Sequence, residues 1–295
     1  MKNILHNCTL CPRACAVDRR RSRGFCGGGM SAAIDLAQLH HWEEPVISGS
    51  KGSGALFFSG CTMRCAYCQN FEISRHCRGR EYDAGGMAEL MLDLQSRGAH
   101  NINLVTPGHF TTQIAGAVIR ARNEGLIIPV VWNSNAYELP ETLRLLDGLV
   151  DVYLPDFRYW DDSPAEKYSS APGYAEIARC AILEMHRQVG YINMRNGLAV
   201  RGLLVRILVL PGLIEQVESI LGWIADALGP ETHVSLMGQY YPAHEAARFP
   251  EINRSLRPDE YERCLEALDR LGFENGFVQE VGSSARYTPE FLKEG

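Results

Sequence analysis

No stretch of the 295 residues is apolar and long enough to cross a bilayer, and Met1-Lys2-Asn3-Ile4-Leu5-His6-Asn7-Cys8 contains no apolar run of signal-peptide length. A cytoplasmic protein that does not enter membranes is expected. An excess of positive charge is also missing. The 29 Lys and Arg stand against 35 Asp and Glu, a net charge of -6, so no basic face is on offer for the phosphates of duplex nucleic acid. Internal repeats and low-complexity tracts are absent. A composition of 46% hydrophobic and 22% charged residues excludes disordered, collagen-like and fibrous classes. What remains is a globular protein suited to small molecules or protein partners.

Cysteine, by contrast, is plentiful. In a reducing compartment, ten cysteines read as metal ligands or reactive thiols before they read as disulfides. Their spacing sorts them. Cys8, Cys11, Cys15 and Cys26 form one group and Cys61, Cys65 and Cys68 a second, while Cys77, Cys180 and Cys264 stand apart.

From about residue 54 short apolar runs alternate with helical patterns, the signature of parallel strands joined by crossover helices. Strands are expected at Ala55 to Ser59, Ile102 to Thr106, Pro129 to Asn133, Val150 to Pro155, Leu203 to Leu210 and His233 to Met237, with a short seventh at Phe277 to Val281. Helical stripes run through Met87, Leu90, Met91 and Leu94, through Ile214, Val217, Leu221, Ile224 and Leu228, and from Pro258 through Tyr261, Leu265, Leu268 and Leu271. These stripes are core faces. Residues 157 to 201 read as a long connection with a loop around Ser163 to Gly173 and a helix from Tyr174 to about Gln188. The first 50 residues, rich in Cys, Arg and Gly with no sustained period, read as an N-terminal extension to a core domain of residues 51–295.

Directly after the first core strand comes Ser59-Gly60-Cys61-Thr62-Met63-Arg64-Cys65-Ala66-Tyr67-Cys68-Gln69-Asn70. Three thiolates at CxxxCxxC spacing wrap one corner of a compact metal cluster, and soft sulfur ligands suit iron–sulfur centres. A cluster built only for electron transfer takes a fourth cysteine; three leave one iron open, by the logic that leaves catalytic zinc an open position. An open iron can chelate the amino and carboxylate groups of S-adenosylmethionine beside a reducible cluster, and one electron then yields methionine and a 5′-deoxyadenosyl radical. Gly60 allows the tight turn into the loop. Tyr67 is expected over the cluster or the adenine, and Cys77 is the one nearby thiol that would close the fourth corner. The competing reading, zinc or buried thiols, suits the triplet poorly because zinc takes four ligands, usually as two separated pairs.

These motifs resemble the radical S-adenosylmethionine superfamily, and within it the pyruvate formate-lyase activating enzyme-like group, PflX-type. The likeness runs from Cys8-Thr9-Leu10-Cys11-Pro12-Arg13 through Gly54-Ala55-Leu56-Phe57-Phe58-Ser59-Gly60-Cys61 to Leu236-Met237-Gly238-Gln239-Tyr240. It implies an α/β fold, a partial (β/α)6 TIM-like barrel with a Cys-rich N-terminal extension. It also implies catalysis at a 4Fe-4S cluster on Cys61, Cys65 and Cys68 with S-adenosyl-L-methionine as cofactor. Thr106, Pro107 and Gly108 stand where the family's Gly-Gly-Glu-like stretch touches the methionyl amino group; no Glu is present, so backbone carbonyls must serve. Asn133, Ser134 and Asn135 stand near the methionine carboxylate and ribose, with Asn133 replacing an Asp, which argues against a bound monovalent cation. Asp156, Arg158 and Arg206 follow at later strand ends, where such barrels place their chemistry. Either arginine can hold a carboxylate bidentately, or both are barrel-end salt bridges. His109 is a candidate for the site or for capping the helix near Thr111.

Cys8, Cys11, Cys15 and Cys26 supply four thiolates within nineteen residues, which suits a zinc knuckle, a second 4Fe-4S cluster or, without metal, a thiol-packed extension; the spacing does not choose. Two basic runs, Arg19, Arg20, Arg21 and Arg23, then Arg75, Arg78 and Arg80, are solvated loops or a docking face for an acidic flavodoxin or ferredoxin that delivers the electron. Three functions compete. One is an activating enzyme that takes hydrogen from a glycine of a glycyl radical enzyme. Another is a radical enzyme acting on a small molecule or peptide side chain, with Tyr240, Tyr241 and His244 near either substrate. The third is a non-catalytic iron–sulfur or zinc electron-transfer protein.

Overall fold

The computed structural model describes residues 2–279. The strands are β1 (Ala32–His40), β2 (Ser53–Phe58), β3 (Arg80–Tyr82), β4 (Ile102–Val105), β5 (Val130–Ser134), β6 (Val152–Pro155), β7 (Asn193–Arg195), β8 (Leu198–Leu208), β9 (His233–Met237) and β10 (Gly276–Val278). The helices are α1 (Pro45–Ser48), α2 (Phe71–His76), α3 (Ala84–Ser96), α4 (Thr111–Asn123), α5 (Pro140–Leu143), α6 (Asp162–Ser169), α7 (Tyr174–Val189), α8 (Ile214–Leu228) and α9 (Pro258–Arg270).

One sheet runs in the order β10-β9-β8-β6-β5-β4-β2-β1-β3, with β7 pairing β8 as a hairpin. From β2 to β10 every neighbouring pair is parallel; β1 and β3 add an antiparallel edge. The parallel strands β2, β4, β5, β6 and β9 are buried along their whole length, as expected of strands covered on both faces and written as apolar runs such as Gly54-Ala55-Leu56-Phe57-Phe58. The result is the partial TIM-like barrel, an α/β fold. The helical stripes face its core: Met87, Met91 and Leu94 on α3, and Ile214, Val217, Leu221, Ile224 and Leu228 on α8, are buried.

The six expected core strands are present within a few residues of their anticipated ends. The seventh is Gly276–Val278, and its expected end at Val281 lies outside the described residues. Three features differ from expectation. The segment expected to be a loop around Ser163 to Gly173 contains α6, which opens after Asp161 with Pro164 in its first turn and ends at Ser170 in a left-handed conformation (φ 49). Asn196-Gly197, both at positive φ, makes the tight turn between β7 and β8. Residues 32–40, read as part of a separate extension, form a nine-residue strand whose pairing runs from Ile34 opposite Phe58 to His40 opposite Ser53, so that part of the first 50 residues is built into the sheet.

Candidate active site at the barrel mouth

The carboxyl ends of β2, β4, β5, β6, β8 and β9 open into one recess of about 1310 Å³, its mouth included. Cys61, Cys65 and Cys68 line it together with Tyr67, Thr106, Asn133, Ser134, Asn135, Asp156, Arg158, Arg206 and Tyr240. Pro107 and Gly108 do not; a β-carbon on Gly108 would fall 2.2 Å from Oε1 of Glu138.

The chain turns from β2 into the cysteine loop at Gly60, whose φ is +85 and whose absent side chain leaves room for the Cys26 carbonyl, 2.1 Å from where a β-carbon would sit. The Cys61 amide donates to that carbonyl (3.2 Å), the Arg64 amide to the Ser169 carbonyl (2.9 Å) and the Ala66 amide to the Tyr168 carbonyl (2.7 Å). The N-terminal segment and the end of α6 therefore clamp the loop from two sides.

Each of the three sulfurs has a polar neighbour. The Met63 amide (3.3 Å) and Asn135 Nδ2 (3.5 Å) donate to Cys61 Sγ, the Ser169 hydroxyl donates to Cys65 Sγ (3.0 Å), and the Ser74 hydroxyl lies 3.4 Å from Cys68 Sγ. Burial pushes the Cys61 thiol up to about 12, with the neighbouring Cys65 charge adding to the effect, and raises Cys68 for the same two reasons. Such thiols ionise when a metal replaces their protons. Among the described residues no three Cys, His, Asp or Glu side chains stand close enough to hold a single metal ion. Three soft thiolates gathered on one recess are a donor set that an iron–sulfur cluster takes. Cys77 does not line the recess; its sulfur lies 3.9 Å from the Cys26 carbonyl.

Tyr67 is buried. Its hydroxyl meets that of Tyr159 (2.7 Å), which meets the Ser169 hydroxyl (2.7 Å), the donor to Cys65. Burial, and next the Cys65 charge, push the Tyr67 phenol up to about 12, so it stays neutral. Thr106 adopts φ +55 at the end of β4, a rare backbone for a β-branched residue.

Arg206 was a candidate for holding a ligand carboxylate, but its guanidinium is committed within the protein. Nε donates to Asp156 Oδ1 (2.9 Å), Nη1 to Glu43 Oε2 (2.9 Å) and Nη2 to Asn133 Oδ1. Arg158 Nη2 donates to the other Asp156 oxygen (2.6 Å), while Arg158 Nε is buried without a protein partner. Glu43 also accepts from Asn103 (2.8 Å) and Asn133 (3.1 Å). Glu43 was not among the expected site residues, because nothing local to His41-Trp42-Glu43-Glu44 signals that the end of β1 reaches the mouth. Ser169 was missed because its segment read as a loop, and Tyr159 because it lies in the long connection of residues 157–201, which carries no motif.

His109 neither lines the recess nor caps α4. It is fully buried, its Nε2 bonds the Ser59 carbonyl (2.8 Å), and burial lowers its pKa to about 4. Tyr240 is buried with its ring 5.8 Å from that of Tyr67, and His244 stacks on Phe71 at 4.7 Å.

Arg19 departs from the expected basic face. It is 4% exposed and turned inward, with Nε on Cys8 Sγ (3.2 Å), Nη2 on Cys26 Sγ (3.7 Å) and Nη1 on the His109 carbonyl (2.7 Å). Arg20 and Arg21 are exposed beside Asp18, and Arg23 pairs with Glu81. In the second run Arg78 pairs with Glu72, and Arg75 lies 4.0 Å from Glu245. Among the described residues no helix is long and apolar enough to cross a membrane.

A family model for the radical SAM superfamily matches residues 56–224, more than half of the chain. The uncharacterized protein MJ0674 of Methanocaldococcus jannaschii is 32% identical over 285 residues, covering 92% of this chain and 77% of the relative. Among solved structures, the FeFe-hydrogenase maturase HydG of Carboxydothermus hydrogenoformans superposes with a TM-score of 0.51 at 13% identity, over 74% of this chain and 50% of that one, and shares the fold. A domain of a pyruvate-formate lyase-activating enzyme from Bacteroides vulgatus gives a TM-score of 0.42 at 12% identity over 58% of this chain and 92% of that one.

Proposed function

The chain belongs to the radical SAM superfamily, and from that premise we propose that Cys61, Cys65 and Cys68 hold the superfamily's 4Fe-4S cluster for hydrogen abstraction from a glycine of a partner protein, in the manner of a PflX-type activating enzyme. The cluster, when bound, supplies the electron that splits S-adenosylmethionine into methionine and a 5′-deoxyadenosyl radical. The observation that carries the reading is the meeting of three donor-supported sulfurs with the polar ends of five further strands at one mouth.

The chain's own residues then have distinct tasks. Asn135 and Ser169 orient and polarise the sulfurs of Cys61 and Cys65. Thr106, in its strained conformation, presents backbone to the methionyl ammonium in place of the missing acid. Arg158, with one protein carboxylate and an unpaired Nε, takes the methionine carboxylate, whereas Arg206 holds Glu43, Asn133 and Asp156 in register. Ser134 and Asn135 face the nucleotide. Tyr67 and Tyr240 give the recess an apolar wall that keeps water from a reactive radical.

The electron comes from an acidic flavodoxin or ferredoxin docking on Arg20, Arg21, Arg23, Arg78 and Arg80. Its reduction rate should fall steeply with added salt; a salt-independent rate removes this partner.

A second reading, a small-molecule or peptide side-chain substrate, draws on His40, Trp42 and Glu43, which bring the N-terminal segment into the lining of the recess. Incubation with a glycyl radical enzyme separates the two: a stable protein-centred radical in the partner supports glycine activation, and its absence with a conversion of peptide or metabolite supports the second. The cluster assignment is tested by electron paramagnetic resonance of the reduced protein. Added S-adenosylmethionine should change the spectrum as it takes the open iron, and an unchanged spectrum would defeat the assignment.

A further inference from the structure

Residues 8 to 28 fold as a knuckle. The Cys8 amide donates to the Val17 carbonyl and the Ala16 amide returns to the Cys8 carbonyl, both at 3.0 Å, while the Ala14 amide turns back to Cys11 (3.0 Å). Cys8, Cys11 and Cys26 are buried and Cys15 is half-buried, its sulfur against Gly24. The segment packs against the catalytic loop. The Cys26 carbonyl receives the Cys61 amide (3.2 Å), Arg13 Nε donates to the Thr62 carbonyl (2.9 Å), and the Arg13 and Arg64 guanidiniums lie 3.8 and 4.5 Å from the centre of the Phe25 ring.

Arg19 is the telling side chain. Among the described residues it has no carboxylate within ion-pair distance, yet it is buried, and two of its nitrogens point at the sulfurs of Cys8 and Cys26. A buried guanidinium without a counter-charge is costly, and neutral thiols are weak acceptors that do little to offset it. Thiolates on a metal solve both problems. Cys26 Sγ receives a second donor from the Gly28 amide (3.4 Å), the kind of bond that supports a ligating sulfur. Zinc would draw four sulfurs to within about 3.8 Å of one another, given tetrahedral bonds of about 2.3 Å. Among the described residues no three Cys, His, Asp or Glu side chains are grouped to hold a single metal ion.

We infer that Cys8, Cys11, Cys15 and Cys26 hold a second 4Fe-4S cluster, fully ligated by protein, with Arg19 as its buried counter-charge. Four thiolates on a cube of charge +2 leave a net charge of -2, which the guanidinium partly balances. Unlike the first centre it has no open iron. It fixes the peptide that supports Cys61.

The assignment stands apart from that of Cys61, Cys65 and Cys68, and the test keeps them separate. Full-length Cys61→Ala/Cys65→Ala/Cys68→Ala protein is reconstituted anaerobically with iron and sulfide. It should retain about four irons and four sulfides per chain and, once reduced, give a resonance signal that S-adenosylmethionine does not alter. Adding Cys11→Ala and Cys15→Ala should abolish the iron. Arg19→Gln, which keeps the size of the site, should retain the iron but shift the midpoint potential to more negative values, since a positive donor to the sulfurs is gone. Iron-free triple variant, or zinc bound at these cysteines, would overturn the cluster; an unchanged potential in Arg19→Gln would overturn the role of Arg19.

Discussion

Ser169 donates to Cys65 Sγ at 3.0 Å and closes the chain of hydroxyls from Tyr67 through Tyr159. Hydrogen bonds to cluster sulfurs raise the reduction potential, so Ser169→Ala should keep its iron while its potential, read by spectroelectrochemistry, moves lower. An unmoved potential would make the contact incidental. Glu43 is tied to Arg206, Asn103 and Asn133. Glu43→Ala leaves a buried guanidinium short of one partner and should cost on the order of 3 kcal/mol in urea unfolding. His109 is neutral and buried, its pKa lowered from 6.5 to about 4 by desolvation. The unfolded chain takes up the proton first, so the stability His109 contributes is complete above pH 6.5 and is lost as pH falls toward about 4, on the order of 3 kcal/mol in all. His109→Gln should flatten the pH dependence of unfolding across that window. The cysteine triplet was legible because its spacing is local, whereas Glu43 and Ser169 were not: each sits outside any motif and is brought to the site only by the fold, Ser169 meeting Cys65 across 104 positions of chain.

Strands and helices with a regular apolar period could be read directly, and β2, β4, β5, β6, β9, α7 and α8 lie where their patterns put them. β1 could not, because its burial does not alternate: three buried residues are followed by five half-buried ones. α6 is only eight residues long, and its flanking Ser, Pro and Gly carry turn signals, although Asp162 and Pro164 also mark a helix start. Its end nevertheless accepts two amides of the cysteine loop. On the other side of that loop, Gly60→Ala would place a methyl 2.1 Å from the Cys26 carbonyl at φ +85. The strain alone costs about 1–3 kcal/mol, and the clash should displace Cys61, lowering iron occupancy together with thermal stability. Full iron content in Gly60→Ala would show that the Cys26 contact does not shape the loop.

At the scale of the molecule, the described residues form one sheet into which the N-terminal segment is sewn by several contacts, among them β1 on β2, Glu43 on Arg206 and Cys26 on Cys61. A shortened chain of residues 51–295 is therefore expected to lose cooperative unfolding, followed by circular dichroism; an unchanged melting profile would make the first 50 residues a separable domain. The central claim, that three sulfurs grip a cluster and leave one iron for S-adenosylmethionine, is tested most directly by measuring 5′-deoxyadenosine. Anaerobically reconstituted, reduced wild-type protein should form it from S-adenosylmethionine and Cys65→Ala should form none, whereas equal amounts from both, or none from an iron-loaded wild type, would contradict the account.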